Sequence, residues 1–291
     1  MSSRLFDSVL GSVLLAACLS GCSGIEFFAV NAPTAFAHVD RRLNIAYGEE
    51  ERQSLDIYLP RMADKRPVVI FWYGGSWQEG SKSYYRFVGA ELAKLGFVAI
   101  LPDYRLYPQV LFPSFEEDGA RAIAWVERHA QEFGGDPKRI VLMGHSAGAH
   151  TAAFLAFNHV FLEKYGADSS DIVGLIGLSG PYAFVPDSDA LRAAFPAPFS
   201  DKDWQPIRFV DSQSPPSLLL HGLSDKVVLP SETIELHDAL EQQHVRVEMH
   251  LFPHRRHTDT IAPFSPLLRG RTPVVDEVSA FVRSLSAHSV P

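Results

Sequence analysis

Three side chains in this 291-residue chain have the types and order of a nucleophile, its acid and its base: Ser146, Asp225 and His257. A serine hydroxyl is a weak nucleophile until an imidazole takes its proton, and the imidazole works best when a carboxylate fixes its tautomer. Ser146 is the centre of Gly144-His145-Ser146-Ala147-Gly148, which follows the apolar run Ile140-Val141-Leu142-Met143 and precedes an Ala-rich stretch. That is the strand, turn and helix setting of a Gly-x-Ser-x-Gly elbow: a strained backbone lifts one hydroxyl out of the sheet, and the glycines let strand and helix approach. At average residue frequencies such a pentapeptide arises by chance about 0.1 times in a chain this long. The ordinary alternative is a tight turn with a solvent-exposed serine.

The acid and base follow in the chain. Asp225 comes after the apolar run 217–220 through His221-Gly222-Leu223-Ser224, a turn that would hold a carboxylate at the end of a strand. Aspartates beside glycines also cap turns, and Asp201, Asp203 and Asp211 compete for the role. For the base, His257 has a rival in His254, three residues earlier; His257 is preferred because it sits further from the strand and nearer the final helix. The order Ser, acid, His is that of α/β hydrolases and differs from the chymotrypsin and subtilisin orders. His250, His254, His257 and Asp259 also have zinc-ligand types and spacing, but strand alternation would have to aim His250 at two loop residues, so neither a metal nor another cofactor is expected.

Acyl transfer needs donors for the oxygen that turns negative, and backbone N–H groups near glycines supply them. Tyr73-Gly74-Gly75-Ser76-Trp77 ends an apolar run, which makes the amides of Gly74, Gly75 and Ser76 candidates, with that of Ala147 after the nucleophile. An ordinary strand-to-helix turn is the other account of the two glycines.

The elements that would position these groups alternate along the chain. Strands are expected at 54–59, 68–73, 96–101, 140–143, 173–178, 217–220 and 245–252, and helices at 81–95, 114–133, 147–158, 231–243 and 272–285. Such alternation predicts an α/β fold with a mostly parallel, doubly wound sheet, whose ligands bind beyond the carboxyl ends of the strands. The composition, 46% hydrophobic with 20 Phe, suffices for one large core. A net charge of −8 without a basic run speaks against nucleic acid as a partner; oligomeric state leaves no trace.

Both cysteines lie in the first 22 residues, so no disulfide framework is expected. Arg4 and the apolar stretch 9–19 read as an export signal too short to span a membrane permanently. Leu19-Ser20-Gly21-Cys22 resembles the bacterial lipobox, which implies a signal peptide over 1–21, lipidated Cys22 as the membrane attachment, a tether over 22–37 and the folded domain over 38–291. Cys18 fits the pattern loosely but would cut the apolar core, and cleavage after Ala35-Phe36-Ala37 lies well past that core. The expected location is the cell envelope, on the periplasmic or outer-membrane face.

Taken together, the elbow, Leu55-Asp56-Ile57-Tyr58-Leu59-Pro60, the 73–77 loop, Asp103-Tyr104-Arg105-Leu106, Gly134-Gly135-Asp136-Pro137 and His221-Gly222-Leu223-Ser224-Asp225 resemble α/β-hydrolase-fold serine esterases and lipases. The likeness is to the group of bacterial feruloyl-esterase-like carboxylesterases and kynurenine formamidases. It implies a serine carboxylic-ester hydrolase of small-molecule esters, without cofactor, with Ser146, Asp225 and His257 as nucleophile, acid and base. A formamidase or other amidase, and an inactive envelope binding protein, are the competing readings. The chain departs from the group at Tyr73, where histidine usually precedes the paired glycines. That leaves open how the loop is supported and whether this side chain touches substrate. Tyr104, Tyr107, Phe112, Phe115 and the segment 182–204 fit either a substrate pocket or core packing.

Overall fold

A computed structural model describes residues 29–36, 38–61 and 64–287. The export signal, Cys18, Cys22 and Ala37 lie outside the described residues. Among the described residues eight strands form one sheet in the order β1-β2-β4-β3-β5-β6-β7-β8. They are β1 (Asp40–Ala46), β2 (Ser54–Leu59), β3 (Arg66–Trp72), β4 (Val98–Pro102), β5 (Gly135–His145), β6 (Ile172–Leu178), β7 (Ser217–Gly222) and β8 (Val247–Phe252). β1 and β2, and β2 and β4, pair antiparallel; every other neighbouring pair is parallel. The inner strands are buried along most of their length, as expected where helices cover both faces of a parallel sheet.

The helices are α1 (Arg86–Lys94), α2 (Ser114–His129), α3 (Ala147–Phe157), α4 (His159–Lys164), α5 (Asp189–Ala194), α6 (Asp201–Trp204), α7 (Pro230–Gln242) and α8 (Val274–Ala287). α3, which follows the elbow, is Ala-rich and buried on every side. A helix apolar all round belongs inside the core rather than on its surface, and small side chains let this one lie close on β5 and β6.

Several boundaries differ from those expected. The helix anticipated over 81–95 divides into a 3₁₀ turn, Lys82–Tyr85, and α1, because Ser81 caps the turn by accepting from the Ser83 amide. The strand anticipated from 245 begins at Val247. β1 is an additional edge strand; its Asp40, Arg41 and Arg42 are exposed, and charged residues of this kind keep an edge from pairing further. Within the stretch expected as a tether, Val30 is buried and its carbonyl accepts from Ser265 Oγ at 2.9 Å. Asn31 next to it donates to the Tyr84 carbonyl and accepts from the Phe87 amide. Among the described residues no helix is long and apolar enough to cross a membrane.

The candidate residues fall at one edge of this sheet. Tyr73 follows β3, Ser146 follows β5, Asp225 comes shortly after β7 and His257 after β8. All four strands run parallel, so these loops emerge at their common carboxyl end.

Candidate active site

Ser146 has φ 56° and ψ −127°, a left-handed backbone that a serine adopts only under constraint. Its amide donates to the Leu178 carbonyl at 2.9 Å, so the sheet ladder holds the residue at the moment the chain turns into α3. A side chain on Gly144 would run into the Gly148 carbonyl, and one on Gly148 into that of Trp72. Glycine at both positions is therefore a packing requirement.

The 73–77 loop is pressed against the serine. A Cβ added to Gly74 would stand 2.8 Å from Ser146 Cβ and 3.0 Å from the His145 carbonyl. Gly75, Ser76 and Trp77 follow with φ of 127°, 52° and 58°. Three successive left-handed residues, two of them not glycine, hold backbone strain beside the candidate nucleophile. The Gly75 carbonyl accepts from the Gln78 and Glu79 amides, and Trp77's carbonyl from Tyr107, which keeps the loop in this shape. Ala147 is the first residue of α3, and helix geometry gives its amide no intrahelical acceptor.

Tyr73 points away from the serine. Its hydroxyl donates to Asp103 Oδ1 at 2.8 Å and accepts from Arg52 Nη2 at 2.8 Å, while its ring stacks against Tyr85 and Tyr104. Burial, reinforced by Tyr104 and Asp103, pushes the phenol well above its ordinary value and keeps it neutral. The residue that departs from the group pattern is thus a buried prop for the loop. Tyr104 belongs to the same prop, donating to the Tyr73 carbonyl at 2.9 Å.

Asp225 and His257 meet directly. His257 Nδ1 lies 2.7 Å from Asp225 Oδ2. His221 Nε2 approaches the same oxygen at 3.1 Å, and the amides of Val227 and Val228 donate to Oδ1. Burial pushes the Asp225 carboxyl up, but the hydrogen bonds from His221 and His257 outweigh it and hold the group well below the usual carboxylate range. Since the carboxylate only accepts, His257 Nδ1 carries a proton and Nε2 is left to act on other groups. His221 Nε2 also faces the Val228 carbonyl at 3.0 Å, so it too is protonated, and Nδ1 accepts from Thr233 Oγ1 at 2.7 Å.

The other acid candidates have structural partners. Asp203 accepts from the Ser200 amide and hydroxyl at the start of α6, and Asp211 accepts from Gln213. Asp201 lies 3.8 Å from Arg208. His254 is exposed with φ 59°. The four residues of the zinc-like grouping disperse: His250 lies against Glu277, Asp259 accepts from Arg271, and His257 engages Asp225.

Sequence reasoning passed over His145 and His221. His145, immediately before Ser146, donates from Nε2 to the His257 carbonyl at 3.1 Å, and the two rings stand 4.8 Å apart. Burial and the nearby His257 lower its pKa to about 3, so it stays neutral. The His257 carbonyl also accepts from Thr260 Oγ1. The only signal in the sequence was the presence of titratable residues inside the two motifs already singled out.

Residues 55–240 match the family model described as BD-FAE. The chain is similar to the isoprenylcysteine alpha-carbonyl methylesterase ICME of Arabidopsis thaliana, 32% identical over 84% of this chain and 62% of that protein. It is also similar to the esterase LipC of Mycobacterium tuberculosis, 31% identical over 66% of this chain and 52% of that protein. It thus spans between half and two thirds of the length of these relatives. Among solved structures, the apo form of Thermogutta terrifontis esterase 2 superposes with a TM-score of 0.70 at 26% identity, covering 87% of this chain and 96% of that one. A truncated carbohydrate esterase from gut microbiota shares the fold, with a TM-score of 0.74 at 22% identity over 86% of this chain and 98% of that one. The match to the family model extends over more than half of the sequence, and the chain belongs to the BD-FAE family, on an α/β-hydrolase fold.

Proposed function

We propose that the chain is a serine carboxylic-ester hydrolase in which Ser146, His257 and Asp225 act as nucleophile, base and acid. The observation that carries this reading is the 2.7 Å contact between His257 Nδ1 and Asp225 Oδ2 on loops that share the sheet edge with a strained Ser146. His257 Nε2 takes the Ser146 hydroxyl proton as Oγ attacks the ester carbonyl. The amides of Ala147 and of the Gly74–Ser76 loop face the resulting oxyanion, each such donor being worth ~10² to 10³ in turnover. His257 then hands the proton to the departing alcohol. Water, deprotonated by the same imidazole, releases the acid and restores the serine. The names of the relatives as esterases support this choice of bond.

Hydrolysis of p-nitrophenyl esters from acetyl to palmitoyl, beside Ser146→Ala, tests the reading. Cleavage that the variant loses is the expected result; cleavage by both proteins, or by neither, would overturn it. Methyl esters belong in the same panel, because the Arabidopsis relative is named a methylesterase.

Attachment through lipidated Cys22, placing the enzyme in the cell envelope, belongs to the same reading and rests on the Leu19–Cys22 motif alone. Cys22→Ser should move the full chain from the membrane pellet to the soluble fraction, and retention in the pellet would exclude this anchor.

A further inference from the structure

Beside the elbow lies a cluster of rings that the proposed reaction does not use. His150 is four residues after Ser146, in the first turn of α3, and its amide donates to the Ser146 carbonyl at 3.2 Å. Its ring meets four parts of the molecule. Nε2 faces the Trp204 carbonyl, at the end of α6, at 2.8 Å. Since a carbonyl only accepts, Nε2 carries the proton. Nδ1, buried without a hydrogen-bond partner among the described residues, lies 3.3 Å from Glu116 Oε1 on α2, and that oxygen accepts from Thr151 Oγ1. The ring stands edge-on to the Trp77 indole at 4.9 Å and to Phe184 at 5.5 Å. Both His150 and Glu116 have fully buried side chains.

Trp77 connects this cluster to the chemistry. It follows Ser76 directly in the strained loop against Ser146, and it packs on Phe115, Phe184 and Phe195. Phe184, Phe195 and Trp204 all come from the excursion between β6 and β7, so one imidazole joins the elbow helix, the candidate oxyanion loop and that excursion. Stability alone does not account for the arrangement. Among the described residues, Trp77 Nε1, Trp204 Nε1, Glu116 Oε2 and His150 Nδ1 are buried without a hydrogen-bond partner, and each such group is destabilising.

We propose that His150 is a positioning residue that sets substrate size: by holding the Trp204 carbonyl and packing against the Trp77 ring at once, it fixes the distance between the 183–204 segment and the loop beside Ser146. Glu116 lies on the opposite side of the ring, 3.3 Å from Nδ1. The inference rests on the ester-hydrolase reading, and it specifies which esters that site accepts. Moving the aromatic wall by the width of a methylene changes which acyl or alcohol chain fits, and a methylene in a tight pocket is worth ~10- to 200-fold in discrimination.

The test uses p-nitrophenyl esters of increasing acyl length and acetyl esters of increasing alcohol length, with the full chain, His150→Phe and His150→Gln. His150→Phe fills the ring volume without a donor, whereas the His150→Gln amide can still reach the Trp204 carbonyl. In at least one series the ratio of kcat/KM between adjacent chain lengths should shift about tenfold in His150→Phe, mainly through KM. His150→Gln should return it toward the parent. A uniform fall across both series, or no change, would leave His150 as packing only and overturn the proposal. Should His150→Phe not fold, Phe195→Leu, which trims the same wall, decides by the same criterion. Absence of Ser146-dependent hydrolysis in the parent chain is a different failure: it would sink the ester-hydrolase reading, and this proposal with it.

Discussion

The imidazole of His145 donates to the main-chain oxygen of His257 at 3.1 Å, tying the end of the elbow strand to the loop that carries the candidate base. The bond requires a proton on Nε2, and Nδ1 is buried with no partner among the described residues. A charged ring would leave an unpaired buried proton there, which is why burial holds this histidine neutral. The strut therefore does not switch across the working pH range.

A stability slope follows from that depressed pKa. Unfolded, His145 titrates near its ordinary value of about 6.5; folded, it does so at about 3. Between these values the unfolded chain binds a proton that the native chain refuses, so its contribution is complete above about pH 6.5 and is lost as pH falls toward 3, at up to about 1.4 kcal/mol per pH unit. Urea unfolding from pH 4 to pH 7 should show a steeper loss for the parent than for His145→Gln, by close to one proton. Equal slopes would mean that His145 is not buried neutral.

Asp225→Asn should keep the fold near neutral pH and lower kcat by ~10⁴, because an amide can donate to Nδ1 and turn the imidazole to the wrong tautomer. The carboxyl titrates below its unfolded value of about 3.9. Its stabilising contribution is thus present above that pH and declines as pH falls through the lower folded value. The stability gap between parent and variant should accordingly narrow only below about pH 4. A variant retaining full turnover would remove Asp225 from the mechanism.

Much of this was legible in the sequence, for identifiable reasons. The inner strands are long apolar runs because both faces are covered, and the elbow is readable because its glycines are enforced by carbonyls that no side chain could pass. β1 was not legible: at an exposed edge its Asp40-Arg41-Arg42 carries no alternation. Nor were the contacts of His145, His150 and Glu116, since each joins residues far apart in the chain. His145 Nε2 meets an oxygen 112 positions away, and His150 Nε2 one 54 positions away. Local pattern assigns a residue to a strand or helix; it does not say which distant carbonyl will face it.

Gly74→Ala should separate loop placement from folding. The new Cβ would meet Ser146 Cβ at 2.8 Å and the His145 carbonyl at 3.0 Å, so the loop or the serine must move. Displacing one oxyanion donor lowers kcat ~10²- to 10³-fold. The thermal midpoint should change far less, as the loop lies at the sheet edge. The measurement is kcat on a short-chain ester beside the melting curve, and undiminished turnover would place the oxyanion site elsewhere.

Tyr73→Phe should do the reverse. The substitution keeps the ring stacked on Tyr85 and Tyr104 but deletes the donor to Asp103 and the acceptor for Arg52. Asp103 retains the Lys82 amide and two nearby cations, so the loss should stay at ~1 to 3 kcal/mol, the usual cost of unmaking a buried hydrogen bond. Because the hydroxyl points into the Asp103 network and away from Ser146, kcat/KM for small esters should hold while the thermal midpoint falls. A selective rise in KM with unchanged stability would mean instead that the tyrosine reaches substrate, as a polar side chain at this position of the loop would if it faced the serine.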